Sequence, residues 1–469
     1  MLTEYDLIII GGGSAGIGAC LAAATAAPAA SILLIERDRL LGGTSTTGGV
    51  HNWEPGIVSG FWHNSIAARL LACRSGCVGK TVQLVSTEQP MAFSDCCIDP
   101  YPSTLRRAGL SDLDWRRFQF DPEAMSEVMT ALIHDRPNIT VLTRTRFTKA
   151  VTIGRQITGI QAIKDRQTLQ LSSKLYIDAS ADISLARASG CAYTTGQEAQ
   201  STHDEPSAPD IANDRVNAVS LTFRVTAKTQ PGIDEIPEPY RHADLAGWPQ
   251  ANLPCNRPVS FVTQYPDGDY CFNMLPTMEG AEHLSLDPDE AYERCKARVY
   301  HYFQWLQKEK NMAGYRIRSI SPRVGVRETW RLLARQILNE RDLRAPFGTQ
   351  THFDEVIAFA DHSIDIHGQS KPQSGLSKAL EHPYGIPYRC LLPREIDNLL
   401  VACRGAGFSH LAASSCRLSR TMMSLGEAAG LAVAQCITRQ LSPTEVDVKA
   451  IQEQLAIQQQ IERIRQVYD

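Results

Sequence analysis

The sequence predicts an α/β protein in which a domain built on a parallel sheet is interrupted by an inserted α+β domain. Three observations predict this arrangement. A glycine-rich turn at residues 11–16 joins a buried strand to a helix, and short strands alternate with turns between residues 141 and 176. The composition and the spacing of apolar residues then change after residue 214. A chain of 469 residues would suggest about three domains by length alone, but these patterns favour two.

Composition and charge indicate an ordinary globular protein and leave a small molecule as the expected substrate. Lysine and arginine number 47 and aspartate and glutamate 51, so the formal net charge is −4 and nothing favours nucleic acid or an anionic membrane as a partner. The 13 scattered cysteines are typical of reduced thiols in a cytoplasmic protein. We expect neither a signal peptide nor a membrane span, because no basic leader and no apolar run of about 18 residues is present.

The first forty residues have the pattern of a βαβ unit. Residues 7–10 are a continuous aliphatic run, too short for a helix, of the kind found in strands buried on both faces of a parallel sheet. An Ala-rich helical segment follows, and residues 31–35 form a second such run that ends at Glu36. The turn at 11–16 satisfies G-x-G-x-x-G, and the later carboxylate would accept hydrogen bonds from ribose hydroxyls. Together these features indicate a Rossmann-like dinucleotide-binding unit.

A physical reason accounts for the residue type at each position of the glycine-rich turn. Gly11 would allow the tight turn out of the strand, Gly13 would let the backbone approach a pyrophosphate, and Gly16 would let the helix pack close to the sheet. Ser14 and Ala15 open the helix, whose free N–H groups and positive dipole end favour a phosphate.

A second loop, residues 41–49, is rich in glycine and threonine and favours a cofactor that extends further than NAD. An NAD-only Rossmann fold would normally continue with a helix and a third strand. With residues 35–37 before it, the loop resembles the FAD-dependent oxidoreductases of the glutathione-reductase-like superfamily, and more narrowly the branch related to fumarate reductase and succinate dehydrogenase flavoproteins. The resemblance implies non-covalently bound FAD, contacted here by Arg37, Gly42, Gly43, Thr44 and Ser45.

Short apolar runs alternate with turns from residue 141 to 176, where proteins of the resembled fold carry a β-meander. Phe147 lies where such proteins often place a residue against adenine. Residues 175–182 resemble the family's "IDASGD" segment, a buried strand and turn under the FAD, which implies a contact from Ala179. Ala181 replaces the usual glycine of that segment.

Residues 215–314 are predicted to form an inserted substrate or cap domain. A strand-like alternation opens this region, and from residue 288 to about 312 the apolar spacing is helical. The FAD-binding domain is therefore predicted to be discontinuous, over residues 1–214 and 315–440, with a C-terminal helix at 441–469.

The C-terminal third carries two further elements of the resembled flavoproteins. A third buried strand at 397–402 leads into a loop that runs beside the ribityl chain in those proteins, which implies contacts from Arg404 and Gly405. Residues 420–430, which include Gly426, open a helix whose N-terminus points at the flavin pyrimidine in related flavoproteins.

Ionisable residues in the segments that should approach the flavin are the candidates for catalysis. Residues 320–329 resemble the "PRxGxRE(T/S)" block of one poorly characterised FAD-dependent oxidoreductase family, and residues 363–367 resemble its "DIH" block. A bound flavin takes a hydride or electrons itself, so the protein need only orient the substrate and supply a proton donor or acceptor. No metal site is expected. The candidates are His51, Arg327, His367, Arg389 and His410.

The sequence thus predicts an FAD-dependent oxidoreductase that transfers a hydride between the flavin and a small organic substrate. An FAD-dependent monooxygenase or halogenase that uses a flavin C4a-hydroperoxide is the first alternative, although the Trp-x-Trp-x-Ile-Pro signature of halogenases is absent. A flavoprotein that modifies nucleic acid and a non-redox lyase or isomerase are two others. No second GxGxxG motif with a following acid appears, so the electron partner is unknown, and whether the protein is an oligomer is left open.

Overall fold

The structure is a computed structural model that describes residues 3–53, 56, 58, 60–72, 80–85, 92–95, 118–245, 260–274, 276–368 and 380–468. Its main sheet has seven strands. In order across the sheet they are Ile139–Leu142, Ile32–Ile35, Thr3–Ile10, Gln167–Asp178, Gln156–Lys164 and Thr145–Ile153, with Leu399–Val401 also pairing with Gln167–Asp178.

The centre of this sheet is parallel, as the aliphatic runs predict. Thr3–Ile10 lies between Ile32–Ile35 and Gln167–Asp178, parallel to both, and its last four residues are buried. Leu399–Val401 adds a further parallel strand. Because the carboxyl ends of parallel strands meet at one edge of a sheet, the turns after these four strands open at the same place. The α/β fold and its Rossmann-like unit are confirmed.

The strand Gln167–Asp178 takes part in two kinds of pairing. Its first residues pair antiparallel with Gln156–Lys164, which pairs with Thr145–Ile153, and these three strands form the predicted β-meander. From Leu171 onwards the same strand runs parallel to Thr3–Ile10. The meander and the nucleotide-binding unit are therefore one continuous sheet.

The helix of the βαβ unit packs against a long helix from the C-terminal part of the chain. Ser14–Ala26 contacts Ser419–Arg439, and most of both helices is buried. Glycine makes the crossing close, since a Cβ atom at Gly430 would lie 2.3 Å from the carbonyl oxygen of Ala19. The helix that begins at the glycine-rich turn is thus fixed within the core.

A second sheet of six strands is covered by a long helix, Pro288–Glu309, which agrees with the predicted helix. Apolar residues of the helix and the sheet form one core cluster, in which the rings of Phe223 and Phe272 stack with centroids 5.0 Å apart. The strands, in order, are Tyr315–Ile320, Thr222–Ala227, Tyr270–Met274, Ser260–Gln264, Lys80–Val85 and Ala92–Asp95.

Three of these strands extend the second sheet beyond the predicted insertion at 215–314. Lys80–Val85 and Ala92–Asp95 come from the N-terminal part of the chain. Tyr315–Ile320 follows the long helix and pairs with Thr222–Ala227. The boundary at 315 is predicted because the family-like block begins shortly after it. In the structure the strand that follows the long helix still pairs with the second sheet.

The predicted C-terminal helix at 441–469 is two helices, separated where Ala456 has a φ of +52°. Three two-stranded sheets pair Asn52–Trp53 with Phe118–Gln119, Tyr193–Thr194 with Arg331–Leu332, and Val356–Ala360 with Tyr384–Pro387. In the described part of the chain the other α-helices are Phe61–Ala72, Pro122–His134, Ser184–Ala188, Gln200–His203, Gly280–Ser285, Glu340–Arg344, His410–Cys416, Val448–Gln454 and Ile457–Tyr468. Within the described ranges, no helix combines the length and the apolar character that crossing a bilayer requires.

Candidate active site

A cavity of about 1310 Å³ opens where the parallel strands end. Ile10, Ile35, Ala179 and Cys403, each at or just after the end of one strand, lie on its wall. Its volume exceeds the range of about 300–1,000 Å³ usual for small-molecule clefts, so it has room for a large cofactor and a substrate together. Residues of the second sheet, among them Asn273, line the same cavity.

The glycine-rich turn presents an uncapped helix N-terminus to this cavity. Gly11, Gly13, Ser14 and Ala15 line it. Gly13 is the N-cap of the helix Ser14–Ala26, and no side chain caps that end. A Cβ atom at Gly13 would meet no atom within 4 Å, so the backbone borders open space there. Free N–H groups at the positive end of a helix dipole make a site for phosphate.

Glu36 lies on the cavity wall and holds the turn from the side. Its Oε2 accepts a hydrogen bond from the N–H of Gly12 at 2.7 Å, and its Oε1 accepts one from the N–H of Asp38 at 2.8 Å. Burial raises the pKa of this carboxyl, and the two N–H donors oppose that rise. Each carboxylate oxygen has a second lone pair, so Glu36 can accept ribose hydroxyls while it supports the turn.

The second loop lies directly against the first. The N–H of Gly42, at a φ of +105°, donates to the carbonyl oxygen of Gly12 at 2.7 Å, and Gly42 forms an isolated bridge with Gly13. Gly43 and Thr44 then reach the cavity wall. The loop therefore continues the cavity wall from the glycine-rich turn.

Arg404 brings an unpaired cation to the same wall, which Arg37, Phe147 and Ala179 also line. Its Nε is buried without a hydrogen-bond partner, and no carboxylate pairs with its guanidinium in the part of the chain that the structure describes. Burial lowers the pKa of Arg404 to about 10, so the group is still charged at neutral pH. The Nδ1 of His283, on the same wall, is a second buried polar atom for which the described residues provide no hydrogen-bond partner. These atoms suit a large anionic ligand.

Five predicted cofactor-binding residues lie behind the cavity wall and not on it. A Cβ atom at Gly16 would lie 1.8 Å from the carbonyl oxygen of Gly11, and one at Gly405 would lie 2.6 Å from that of Trp330, so glycine is required there by the neighbouring backbone. Sequence alone does not separate a glycine that admits a cofactor from one that admits another chain segment. The five are Gly16, Gly42, Ser45, Gly405 and Gly426.

Comparison with known families identifies the cofactor of the protein. Residues 6–455 match the family described as FAD dependent oxidoreductase. The chain belongs to this family. It is therefore an FAD-dependent redox enzyme, and the uncapped helix N-terminus together with the unpaired Arg404 fits the diphosphate of FAD.

Solved structures also show similarity to this FAD-dependent oxidoreductase, at low sequence identity. A geranylgeranyl bacteriochlorophyll reductase-like protein from Thermoplasma acidophilum is 10% identical with a TM-score of 0.47, covering 100% of this chain and 88% of that one. A p-nitrophenol 4-monooxygenase from Pseudomonas putida DLL-E4 is 11% identical with a TM-score of 0.47, covering 100% and 89%. Aklavinone-11 hydroxylase, solved with FAD and aklavinone, is 10% identical with a TM-score of 0.49, covering 93% and 63%. No curated protein matches the chain.

Two of the predicted catalytic residues, Arg327 and His367, line the cavity. Both form hydrogen bonds with the backbone of Ala218. The Nη1 of Arg327 donates to the carbonyl oxygen of Ala218 at 2.9 Å, and the N–H of Ala218 donates to the carbonyl oxygen of His367 at 3.2 Å. Among the described residues no carboxylate pairs with Arg327. Burial, reinforced by the charge of Arg417, lowers the pKa of Arg327 to about 9.

The imidazole of His367 is paired with Asp365, which the sequence did not single out. Its Nε2 lies 2.7 Å from the Oδ2 of Asp365, and Arg417 reaches the same oxygen at 3.2 Å. Burial, together with the charge of Arg327, lowers the pKa of His367 to about 4. Burial would raise the pKa of Asp365, but the bond to His367 and the charge of Arg417 hold it below its ordinary value. The signal for Asp365 was its position two residues before His367, in the segment that resembles the "DIH" block.

Asn217 is a second residue that the sequence did not predict, and it holds the backbone of His367 in place. Its Nδ2 and its N–H donate to the Oε2 of Glu328 at 2.8 and 3.0 Å, and its Oδ1 accepts the N–H of His367 at 3.0 Å. Glu328 also receives the Nδ1 of His410 at 2.9 Å. No motif marks Asn217, which opens an ordinary strand-like stretch.

The other three catalytic candidates differ in where they lie. His51 lines the cavity, where its Nδ1 is 3.2 Å from the carbonyl oxygen of Gly49, and burial lowers its pKa to about 4. His410 is buried behind the wall in the network of Glu328. The predicted catalytic role of Arg389 does not agree with its position. Arg389 pairs with Glu355 at 2.8 Å, its side chain is 46% exposed, and it does not line the cavity. The described ranges contain no cluster of side chains suited to a metal ion.

Proposed function

We propose that this protein transfers a hydride between bound FAD and a small organic substrate that carries an anionic group. The observation that carries the proposal is the pairing of His367 with Asp365 at 2.7 Å on the same cavity wall as Arg327. Oxidising or reducing a carbon centre by hydride transfer needs a proton acceptor or donor beside the reacting atom. An anionic substrate needs a cation that no protein carboxylate already neutralises.

Arg327 is suited to anchor the substrate. Its Nη1 donates to the carbonyl oxygen of Ala218 and to the Oγ of Ser220, both at 2.9 Å, so the guanidinium is oriented before a substrate arrives. Arginine binds carboxylates through parallel hydrogen bonds in a plane. The anchored anion would be held beside His367, which is joined to Arg327 through Ala218.

His367 is suited to move the proton. With a pKa of about 4 it is neutral at pH 7, so it can take the proton of a substrate hydroxyl or amine while the hydride leaves the adjacent carbon. Asp365 would stabilise the imidazolium that results, and the reverse reaction would return the proton to the substrate. Bound FAD supplies the hydride acceptor or donor. We propose that FAD is held without a covalent bond, through the helix N-terminus and Arg404.

The test begins with the purified holoprotein under anaerobic conditions. It is mixed with 2-hydroxy acids, 2-amino acids and saturated dicarboxylic acids, and bleaching of the visible flavin band is followed. We expect at least one class to bleach the wild type, and His367→Gln to be slower by about 10²–10⁴-fold, the usual contribution of a general acid or base. His134→Gln, on an exposed helix position, is the matched control and should behave as the wild type.

Other results have distinct meanings. Flavin that stays with the denatured chain would contradict non-covalent binding. Flavin that no acid reduces, but that NAD(P)H reduces and oxygen reoxidises with hydroxylation of an added substrate, would replace the proposal with a monooxygenase. An unchanged bleaching rate in His367→Gln would remove His367 from the mechanism.

A further inference from the structure

The second sheet has one face in its own core and the other face towards the FAD cavity. Leu221 and Phe223 belong to the core cluster beneath the long helix. Because successive side chains of a strand point to opposite faces, Ser220 and Thr222 lie on the face away from that core. Arg327 lies on the same side, since its Nη1 donates to the Oγ of Ser220 at 2.9 Å. This face of the sheet therefore borders the site proposed for the substrate anion.

Asn273 lies on this face and reaches the cavity. It is paired directly opposite Thr222 in the neighbouring strand, while the residue before it, Phe272, belongs to the core cluster. Its side chain lines the cavity, and the residue is 6% exposed. Ser220 and Asn273 are diagonal neighbours on one face, so roughly 7–8 Å separate the two positions. One small molecule can therefore contact both Asn273 and Arg327.

The carboxamide of Asn273 forms no hydrogen bond within the described residues. Its Oδ1 is buried without a partner, whereas its Nδ2 keeps accessible surface, and that surface opens on the cavity that Asn273 lines. Thr222 cannot be the missing partner, since its own Oγ1 is buried without one. An enclosed amide without partners costs free energy that an apolar side chain of the same size would not. The donor that faces the cavity therefore points to an acceptor on a ligand.

We propose that Asn273 determines substrate specificity by donating from its Nδ2 to a second polar group of the substrate, whose anionic group is held by Arg327. This inference rests on the proposed function and narrows its substrate class to short organic acids with an oxygen acceptor, such as a carbonyl, away from the anchored group. An amide nitrogen only donates, so a group that only donates, such as an ammonium, is disfavoured at this end. An acid with an apolar end would leave the amide unpaired.

The test compares two pairs of acids that differ only in the group offered to Asn273. Isothermal titration calorimetry of the oxidised holoprotein gives the Kd of 4-oxopentanoate against 4-methylpentanoate, and of 5-oxohexanoate against 5-methylhexanoate. In at least one pair the oxo acid should bind about 3–10-fold more tightly, as one recovered hydrogen bond allows. Asn273→Leu should abolish this preference and leave FAD affinity unchanged. Gln170→Leu, which replaces an exposed amide, is the matched control and should keep the preference.

Asn273→Asp keeps the test decisive if Asn273→Leu does not fold, because it preserves the size of the side chain and replaces the Nδ2 donor by an oxygen. It should lose the preference for the oxo acid as well. The proposal is overturned if the wild type prefers the oxo acid in neither pair, or if a folded variant retains the preference. It is also overturned if Asn273→Leu weakens FAD binding, because the amide would then contact the cofactor.

Failure of the proposed function would be seen separately, because calorimetry on the oxidised protein requires no turnover. If no acid bleaches the flavin, hydride transfer to these acids is wrong, whatever the binding preference. If acids bleach the flavin at the expected rate but Asn273→Leu does not change the preference, the role of Asn273 alone is wrong.

Discussion

A Cβ atom at Gly426 would lie 2.0 Å from the carbonyl oxygen of Ala15. Ala15 is in the first turn of the helix that presents its N-terminus to the FAD cavity, so this contact sets how far that helix lies from its neighbour. Gly426→Ala should push the two helices apart, destabilise the fold by at least about 1–3 kcal/mol and weaken FAD binding. Chemical denaturation and FAD titration of the apoprotein measure both effects.

The matched control for this prediction is Gly232→Ala, where an added Cβ would meet no atom within 4 Å. It should change neither stability nor FAD affinity appreciably. If the two alanine variants were equally stable, the helix crossing would accommodate the added methyl group, and the prediction would be wrong.

Arg404 should contribute to FAD affinity because, among the described residues, its buried Nε has no hydrogen-bond partner and no carboxylate pairs with its guanidinium. Replacing it by glutamine removes charge-assisted hydrogen bonds worth about 1.5–3 kcal/mol, so the Kd for FAD should rise about 10–150-fold. Fluorescence titration of the apoprotein gives the Kd. Arg155→Gln, which breaks the exposed pair with Asp397, should have no such effect. An unchanged Kd in Arg404→Gln would place the diphosphate elsewhere.

Arg327 should control substrate binding and leave the cofactor in place. Arg327→Gln is expected to raise KM at least tenfold for an anionic substrate, since a charge-assisted pair contributes about 1.5–3 kcal/mol. Arg327→Lys should recover part of the loss, and the flavin spectrum should be unchanged. The internal control is a substrate and its neutral amide. If wild type and variant treat the acid and the amide alike, Arg327 does not bind the anion.

Glu427 should make stability depend on pH in a predictable direction. Its Oε1 accepts the N–H of Trp62 at 2.6 Å, and burial raises its pKa from 4.5 to about 7. The folded state therefore binds this proton more tightly than the unfolded state. The stabilisation of the folded state by this bound proton is complete below pH 4.5, the pKa of the carboxyl in the unfolded chain. It is lost as the pH rises through about 7.

Glu427→Gln removes this titration and retains an oxygen that can accept the N–H of Trp62. Relative to the wild type, the free energy of unfolding of the variant should rise by up to about 3 kcal/mol between roughly pH 4.5 and 8. Urea denaturation at several pH values measures the difference, with the exposed Glu453→Gln as the control. Parallel curves for wild type and Glu427→Gln would contradict the raised pKa.

Features written in short stretches of sequence could be predicted, because their causes are local. The aliphatic run before Gly11 fixes a buried strand, and the spacing from Gly16 to Glu36 fixes the βαβ unit, so both agree with the structure. The helix Pro288–Glu309 was equally visible, because its apolar spacing persists over many turns.

Features that depend on partners distant in the chain could not be predicted. Gly426 belongs to a helix crossing and Arg389 to a surface pair with Glu355, yet both lie in segments that the sequence led us to expect near the flavin. Asp365 and Asn217 acquire their roles only when separate segments meet at His367. Local pattern cannot report such contacts, since the neighbour that defines each role lies elsewhere in the sequence.

The contact between the helices Ser14–Ala26 and Ser419–Arg439 has a consequence for how the protein is made. The second helix is synthesised roughly 390 residues after the first. At about 5–20 residues per second, the Ala-rich helix would stay without its main partner for roughly 20–80 s on the ribosome. We therefore expect the nascent N-terminal segment to depend on chaperones, and FAD to be captured only after the helix Ser419–Arg439 has been synthesised.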